Sequence, residues 1–136
     1  MGLRTIKFRG KSADNGKWIT GYYYHECGNT YIVEDRQSLS ETSRNVPYVV
    51  IPETVGQFTG LLDKNGKEIY EGDILHTITF GFNPEEYTAI ILYRNCIFQL
   101  SNGRNLFYFG QSDLTKMDDT IVIGNIYDNP ELIKEE

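Results

Sequence analysis

The 136-residue sequence has the length of one domain, with 40% hydrophobic and 24% charged residues, as in an ordinary globular protein. Its net charge of −6 disfavours non-specific binding to DNA or to an anionic membrane. Two cysteines, Cys27 and Cys96, are too few for a secreted disulfide framework, and no apolar run is long enough to span a bilayer. We therefore expect a single domain over residues 1–136, cytoplasmic and without a signal peptide.

Turn signals along the chain favour hairpins. Ten tyrosines and seven phenylalanines suit the pleated surface of a strand. Asn15-Gly16, Asn65-Gly66 and Asn102-Gly103 are each flanked by candidate strands, and Gly28-Asn29 is a weaker fourth signal. Because Asn-Gly tolerates a positive φ at both positions, each pair predicts a type I′ turn between antiparallel strands.

The first hairpin is predicted over residues 3–25. The period of two along a strand places Lys7, Arg9 and Lys11 on one face of its first strand. Tyr22-Tyr23-Tyr24 blurs the alternation in the return strand, which predicts that both faces of that strand are covered.

The rest of the chain also reads as β-structure. Short strands are predicted at residues 30–33, 46–51, 68–80, 87–93, 97–100, 104–109 and 120–127. Residues 34–45 are predicted to be a polar loop and residues 52–62 an ordered but irregular connection, because Gly56 and Gly60 interrupt it while Phe58 needs burial. Asn129-Pro130-Glu131 predicts the start of a short C-terminal helix. We expect an all-β barrel or sandwich of eight to ten short antiparallel strands with that helix.

Several stretches together are similar to one family. They cover residues 6–11 and 16–22, residues 52–61 running into 63–74, and residues 123–132. In this order they resemble the YopX family, small proteins found in bacteriophages and bacterial prophages. The resemblance implies a mostly β fold in the host cytoplasm; it implies no activity, substrate or catalytic residue.

Four side chains are candidates for metal binding or nucleophilic catalysis: His25, Cys27, His76 and Cys96. Together they provide a Cys₂His₂ set, but neither a C-x₂-C nor an H-x₃-H pair is present. The alternative is a strand-end histidine beside a small buried cysteine. The chain also lacks G-x-S-x-G and a phosphate-binding glycine loop. We therefore predict neither a metal, nor a cofactor, nor a catalytic residue.

Acidic residues cluster in the middle of the chain. Glu68, Glu71 and Asp73 lie within six residues, with Glu53 and Asp63 nearby. Such a cluster can hold Mg²⁺ for phosphoryl chemistry. The favoured alternative is that Glu68 and Glu71 are solvated hairpin residues and that Asp73 bonds to backbone at a bend.

The basic stripe of Lys7, Arg9 and Lys11 is the candidate contact surface, with Tyr22 and Tyr24 on the paired strand. These cations can contact phosphates while the tyrosines stack on bases. Alternatively, the lysines block unwanted edge pairing, or the stripe complements acidic surface within a subunit or between subunits. Residues 1–17 carry a charge of +4 and the remainder −10.

Three functions follow, in order of preference. The first is a non-catalytic phage or prophage accessory module that binds proteins or self-associates. The second is a nucleic-acid-binding module that uses the basic N-terminal hairpin, a partner that the net charge disfavours. The third is a metal-assisted nucleic-acid enzyme. No membrane partner is expected.

Overall fold

The computed structural model describes residues 5–34, 46–79, 81–104, 117 and 119–133. The chain forms two compact units, Met1–Phe58 and Thr59–Glu136. The structure is mostly β, as the aromatic and β-branched composition predicts. That residues 1–136 act as a single domain stays a prediction.

The N-terminal unit contains antiparallel strands in the order β4-β3-β2-β1, with the first residues of β5 paired to β1. These strands are β1 (Phe8–Lys11), β2 (Trp18–Glu26), β3 (Asn29–Glu34), β4 (Pro47–Val50) and β5 (Gly56–Leu62). A 3-10 turn, Pro52–Thr54, leads from β4 into β5. The predicted first hairpin is therefore β1–β2. The polar loop predicted at 34–45 lies outside the described residues except for Glu34.

The irregular connection predicted over residues 52–62 is wrong for its second half, because β5 is a regular strand. Gly56 pairs with Arg9 of β1, where an absent side chain does not disturb the ladder. Gly60 takes a φ of +90° at an exposed position and leaves the strand intact. Phe58 is buried, as its apolar side chain requires.

Close packing in the N-terminal unit depends on a glycine of β1. Ile19, Ile32 and Val50 form the core. A Cβ at Gly10 would lie 3.0 Å from Cδ1 of Ile32 and 3.3 Å from Cβ of Val50. The missing side chain therefore makes room for two core residues.

The end of β1 also meets β4. Ser12 forms an isolated bridge with Val50. The backbone N–H of Ala13 donates to the carbonyl of Val49 over 2.9 Å, and that of Ile51 donates to Lys11 over 2.8 Å. The contact is confined to this bridge, and the described strands form no closed barrel. The barrel alternative is therefore wrong for the described part of the chain.

The C-terminal unit contains two groups of strands. The second half of β5 lies beside β6 (Glu68–Tyr70). A four-stranded antiparallel sheet has the order β10-β7-β8-β9. Its strands are β7 (Asp73–Ile78), β8 (Glu86–Arg94), β9 (Ile97–Leu100) and β10 (Thr120–Asn125). Both groups contribute to one core, which comprises Ile69, Leu75, Ala89, Ile91, Leu100 and Met117.

The Asn-Gly pairs lie in tight turns, but not of the predicted type. Only the glycine of each pair has a positive φ: +72° at Gly16, +83° at Gly66 and +89° at Gly103. At the β5–β6 turn, the N–H of Gly66 donates to the backbone carbonyl of Asp63, and the N–H of Asp63 donates to the carbonyl of Lys67. These bonds close a three-residue loop with glycine at its left-handed position. The hairpin predicted at Asn65-Gly66 is confirmed. The strand predicted at 104–109 lies outside the described residues except for Arg104.

Two-residue turns with a positive φ at both positions occur elsewhere. One is Cys27-Gly28, with φ of 51° and 83°, one residue before the predicted Gly28-Asn29. The other is Asn95-Cys96, with φ of 54° and 67°, where the sequence shows no turn signal. They join β2 to β3 and β8 to β9.

The buried carboxylate of Asp63 ties the β5–β6 turn to β10. Its Oδ1 accepts from the backbone N–H groups of Asn65 at 2.8 Å and Lys67 at 2.9 Å. Its Oδ2 accepts from the backbone N–H of Val122 at 3.0 Å. Because Asp63 is only 2% exposed, these three donors satisfy a charge that water reaches poorly.

The predicted C-terminal helix is a single 3-10 turn in the described residues, Pro130–Leu132. Asn129 makes no side-chain cap bond there, because its Oδ1 accepts from the backbone N–H of Asn125. A Cβ on Gly124 would lie 2.5 Å from that oxygen, so the turn packs against a bare backbone. No helix in the described part of the chain has the length and apolarity needed to cross a membrane.

Candidate interaction surface

The five residues predicted as a contact surface lie on one face of the N-terminal sheet. Arg9 pairs with Thr20, and Lys11 pairs with Trp18. Since directly paired residues share a face and alternate residues follow them, Lys7, Tyr22 and Tyr24 project on the same side. We call this side the aromatic face.

The cations of the aromatic face lie over aromatic rings. Lys7 Nζ is 5.5 Å from the ring centroid of Phe58. Arg9 Cζ is 4.6 Å and Lys11 Nζ is 5.5 Å from the ring of Trp18. Arg9 is buried, whereas Lys7 and Lys11 are half-buried. The guanidinium is thus part of the packing, and the two lysines are the cations of this stripe nearer to solvent.

Away from β1, the described strands β2, β3 and β4 contribute no lysine or arginine to the aromatic face. There the ladder registers align two rows of three residues across β2, β3 and β4. We call these six residues the tyrosine grid: Tyr22, Val33 and Pro47 in one row, and Tyr24, Tyr31 and Val49 in the other. Tyr24 and Tyr31 stack with ring centroids 5.0 Å apart. Tyr22 is 57% exposed and Val49 is 43% exposed.

The reverse side of the same strands carries the core residues Ile19, Ile32 and Val50, but part of it is open to solvent. Tyr23 and Tyr48 flank the buried Ile32 by direct pairing, yet both are exposed. Tyr23 meets Phe8 edge-to-face at 4.5 Å. The prediction that both faces of the return strand are covered is therefore wrong for residues 22–25, which are all exposed, whereas residues 18–21 are buried or half-buried.

The edge of β4 is partly occupied. The carbonyl of Val49 accepts from Ala13, and the N–H of Ile51 donates to Lys11. Pro47, on the same edge, has no N–H to offer. The backbone of β4 therefore offers few hydrogen-bonding groups to an added strand. A partner can reach this end of the sheet mainly through its side chains.

Two carboxylates of the acidic cluster, those of Asp63 and Asp73, accept hydrogen bonds from backbone N–H groups. Asp63 holds its turn as described, and Oδ2 of the buried Asp73 accepts from the backbone N–H of Tyr70 at 2.8 Å, which confirms the predicted bend. Glu68 accepts from the hydroxyl of Tyr70 at 3.0 Å. Among the described residues, no three His, Cys, Asp or Glu side chains are grouped to hold a metal ion.

The histidines and cysteines each have a local explanation. His25 Nδ1 lies 3.0 Å from Thr30 Oγ1. His76 lies between Thr88 Oγ1 at 3.2 Å and Glu86 Oε1 at 2.9 Å. Cys27 and Cys96 are free and exposed at turn tips, so the prediction of a buried cysteine beside His25 is wrong.

One exposed aromatic residue was missed by sequence reasoning. Phe82 is fully exposed on the loop between β7 and β8. The base of this loop is closed by two bonds: Thr79 N–H donates to the carbonyl of Glu85, and Glu85 N–H donates to Thr79 Oγ1, both over 2.8 Å. Glu85, which closes the loop, and Glu86, which begins β8, are both exposed. Apolarity alone predicts burial for Phe82, so no sequence signal marks it.

Comparisons with known proteins place the chain in context. The model of the YopX protein family matches residues 7–134. A crystal structure of protein EF1440 from Enterococcus faecalis is similar, with a TM-score of 0.60 and 27% sequence identity. The likeness covers 97% of this chain and 100% of that one. No curated protein matches.

Proposed function

This chain belongs to the YopX family, and from its surface we propose that it is a non-catalytic phage or prophage accessory module that acts through protein–protein contacts. The tyrosine grid is the contact surface in this proposal. The action is placed in the host cytoplasm, which the two exposed free thiols support because such thiols persist in a reducing compartment.

The observation that carries the proposal is the exposed, contiguous tyrosine grid. Strand spacing of about 4.8 Å and a two-residue repeat of about 6.6 Å give it a footprint of roughly 200 Å². That area is the size of a hot-spot core within a standard interface of about 800 Å² per partner. Tyrosine suits this role because it combines apolar area with a polar tip.

The charge of the grid fits a protein better than a phosphate backbone. Neither β2 nor β3 contains a lysine or an arginine. Binding to nucleic acid draws most of its affinity from such cations. A protein surface needs none, since apolar contact and tyrosine hydroxyl groups supply the affinity.

The test is co-purification from a lysate of the host cell. A double variant, Tyr22→Ser with Tyr24→Ser, should lose a stoichiometric protein partner that the parent chain retains. Tyr93→Ser is the matched control, because Tyr93 is a similarly exposed tyrosine on β8 of the other unit. Retention of the same partners by parent, double variant and control would refute a contact role for the grid.

A second candidate is a nucleic-acid-binding module, favoured by one observation. Lys7 and Lys11 lie on the same face as Tyr22 and Tyr24, so phosphate contacts and base stacking are available side by side. Fluorescence anisotropy with single-stranded oligonucleotides tests it. Binding that weakens with salt and is lost in Lys7→Ala with Lys11→Ala would select this function over the first.

A further inference from the structure

We propose that the tyrosine grid binds Phe82 of a second copy of this chain, which produces head-to-tail self-association. The inference rests on the proposed function, because it names the protein partner of the same surface. Each copy would offer two different surfaces: the grid of its N-terminal unit and the β7–β8 loop of its C-terminal unit.

The β7–β8 loop has the form of an anchor. Phe82 has a relative exposure of 105%, so its ring is fully open to solvent. The two bonds between Thr79 and Glu85 close the base of the loop that carries Phe82. A loop closed at its base loses less backbone freedom on binding than an open one, and a large exposed aromatic side chain is typical of interface anchors.

The two units that carry these surfaces are complementary in net charge. The N-terminal unit has seven Lys or Arg and six Asp or Glu, for +1; the C-terminal unit has six and thirteen, for −7. Lys7 and Lys11 lie on the same face as the grid, on its β1 side, and Glu85 and Glu86 follow Phe82 by three and four residues. In the free chain Glu85 pairs with Arg104, and Glu86 accepts from or pairs with the half-buried His76; both glutamates are exposed, and surface pairs of this kind exchange readily with others. This complementarity would steer the second copy and fix its orientation.

A contact through the face of the N-terminal sheet also agrees with the limited pairing capacity of its β4 edge. Residues 11–13 and Pro47 leave β4 poorly suited to pairing with another chain. The contact would therefore join side chains of unlike surfaces, which is a heterologous interface. Such an interface closes into a ring or continues as an open chain, and it does not end at two copies unless one surface is blocked.

The first experiment is sedimentation velocity with increasing protein concentration. We expect the parent chain to associate beyond the dimer. Phe82→Ser should weaken the association at least about 30-fold, the loss typical of a truncated aromatic hot spot. Tyr22→Ser with Tyr24→Ser should do the same, whereas Tyr93→Ser should leave it unchanged. Circular dichroism verifies that each variant is folded.

The second experiment mixes the two defective variants. The Phe82 variant keeps its grid and the Tyr22/Tyr24 variant keeps its loop, so together they form one intact contact. The mixture should give a discrete 1:1 dimer although each variant alone is monomeric. Glu85→Gln with Glu86→Gln should weaken the parent association at low salt and lose this effect at high salt.

Three results would each overturn the inference. The first is a monomeric parent chain up to millimolar concentration. The second is an association that persists in both variants, and the third is a mixture of the variants that forms no dimer. If the parent is monomeric but co-purifies a host partner that the Tyr22/Tyr24 variant loses, the inference fails and the proposed function stands. If neither association nor partner is found, both fail.

Discussion

Replacing Asp63 with alanine removes the acceptor of three backbone N–H groups at once. The carboxylate lies 2.8 to 3.0 Å from the nitrogen atoms of Asn65, Lys67 and Val122. A hydrogen bond to a charged group contributes about 1.5–3 kcal/mol to stability. Asn65 and Lys67 lie at exposed positions where water can replace the carboxylate, whereas Val122 lies in β10 and is half-buried. We therefore expect a loss of about 3–4 kcal/mol, below the plain sum of three bonds.

Urea denaturation followed by far-UV circular dichroism measures this loss. With a denaturant slope of about 2 kcal/mol per molar urea, the midpoint should fall by about 1.5–2 M. Asp63→Asn should cost less, about 2 kcal/mol, because its amide keeps one acceptor oxygen but turns an NH₂ group towards a donor.

Asp14→Ala is the matched control, since Asp14 is an exposed aspartate in the turn of the β1–β2 hairpin. Its cost should stay within about 0.5 kcal/mol. If Asp63→Ala changed the free energy of unfolding as little as Asp14→Ala does, the carboxylate would not be what fastens the β5–β6 turn to β10.

Three further changes test packing and backbone conformation. Gly10→Ala should lower the free energy of unfolding by about 1–3 kcal/mol, because its Cβ would press on Ile32, and Ile32→Val in the same chain should relieve that loss by removing Cδ1. If thermal unfolding showed that the losses of the two single variants simply add, this explanation would be wrong. Gly124→Ala should lower the free energy of unfolding by about 1–3 kcal/mol through the clash with Asn129, and Asn129→Ala in the same chain should recover part of that loss. Equal melting temperatures of the parent and the Gly124 variant would refute the clash. Cys96→Gly should raise the free energy of unfolding by about 1 kcal/mol, because glycine adopts a φ of 67° without strain; a lower melting temperature would speak against strain at this turn.

The sequence predicts where this chain turns better than how it turns. Asn65-Gly66 marks a real hairpin because glycine alone meets the one left-handed position of a three-residue loop. Asn95-Cys96 escaped prediction because cysteine is not a turn-forming residue, although here it has a φ of 67°. The prediction that two glycines interrupt residues 52–62 is wrong, because Gly56 pairs with β1 in the ladder and Gly60 is exposed, so neither disturbs the strand.

Part of the candidate surface can be predicted from the local period of the strands, and part depends on the register between strands. That Lys7, Arg9 and Lys11 share a face follows from the period of two in any strand. That Tyr24 meets Tyr31 and Val49 depends on registers between strands, which no local pattern fixes. The burial of Arg9 over Trp18 is likewise a product of packing, and the full exposure of Phe82 runs against its apolarity.

The bridge between Ser12 and Val50 and the pairing of Phe8 with Gln57 have a consequence for the order of folding. The β1–β2 and β2–β3 hairpins close over short turns and can form as soon as their strands leave the ribosome. The contact of Phe8 with Gln57 joins residues about 50 positions apart, and its loop-closure entropy must be met before its contacts form. A nascent chain that has emerged only as far as β3 therefore displays its tyrosines without β4 beside them, so the N-terminal unit would be most exposed to premature association during synthesis.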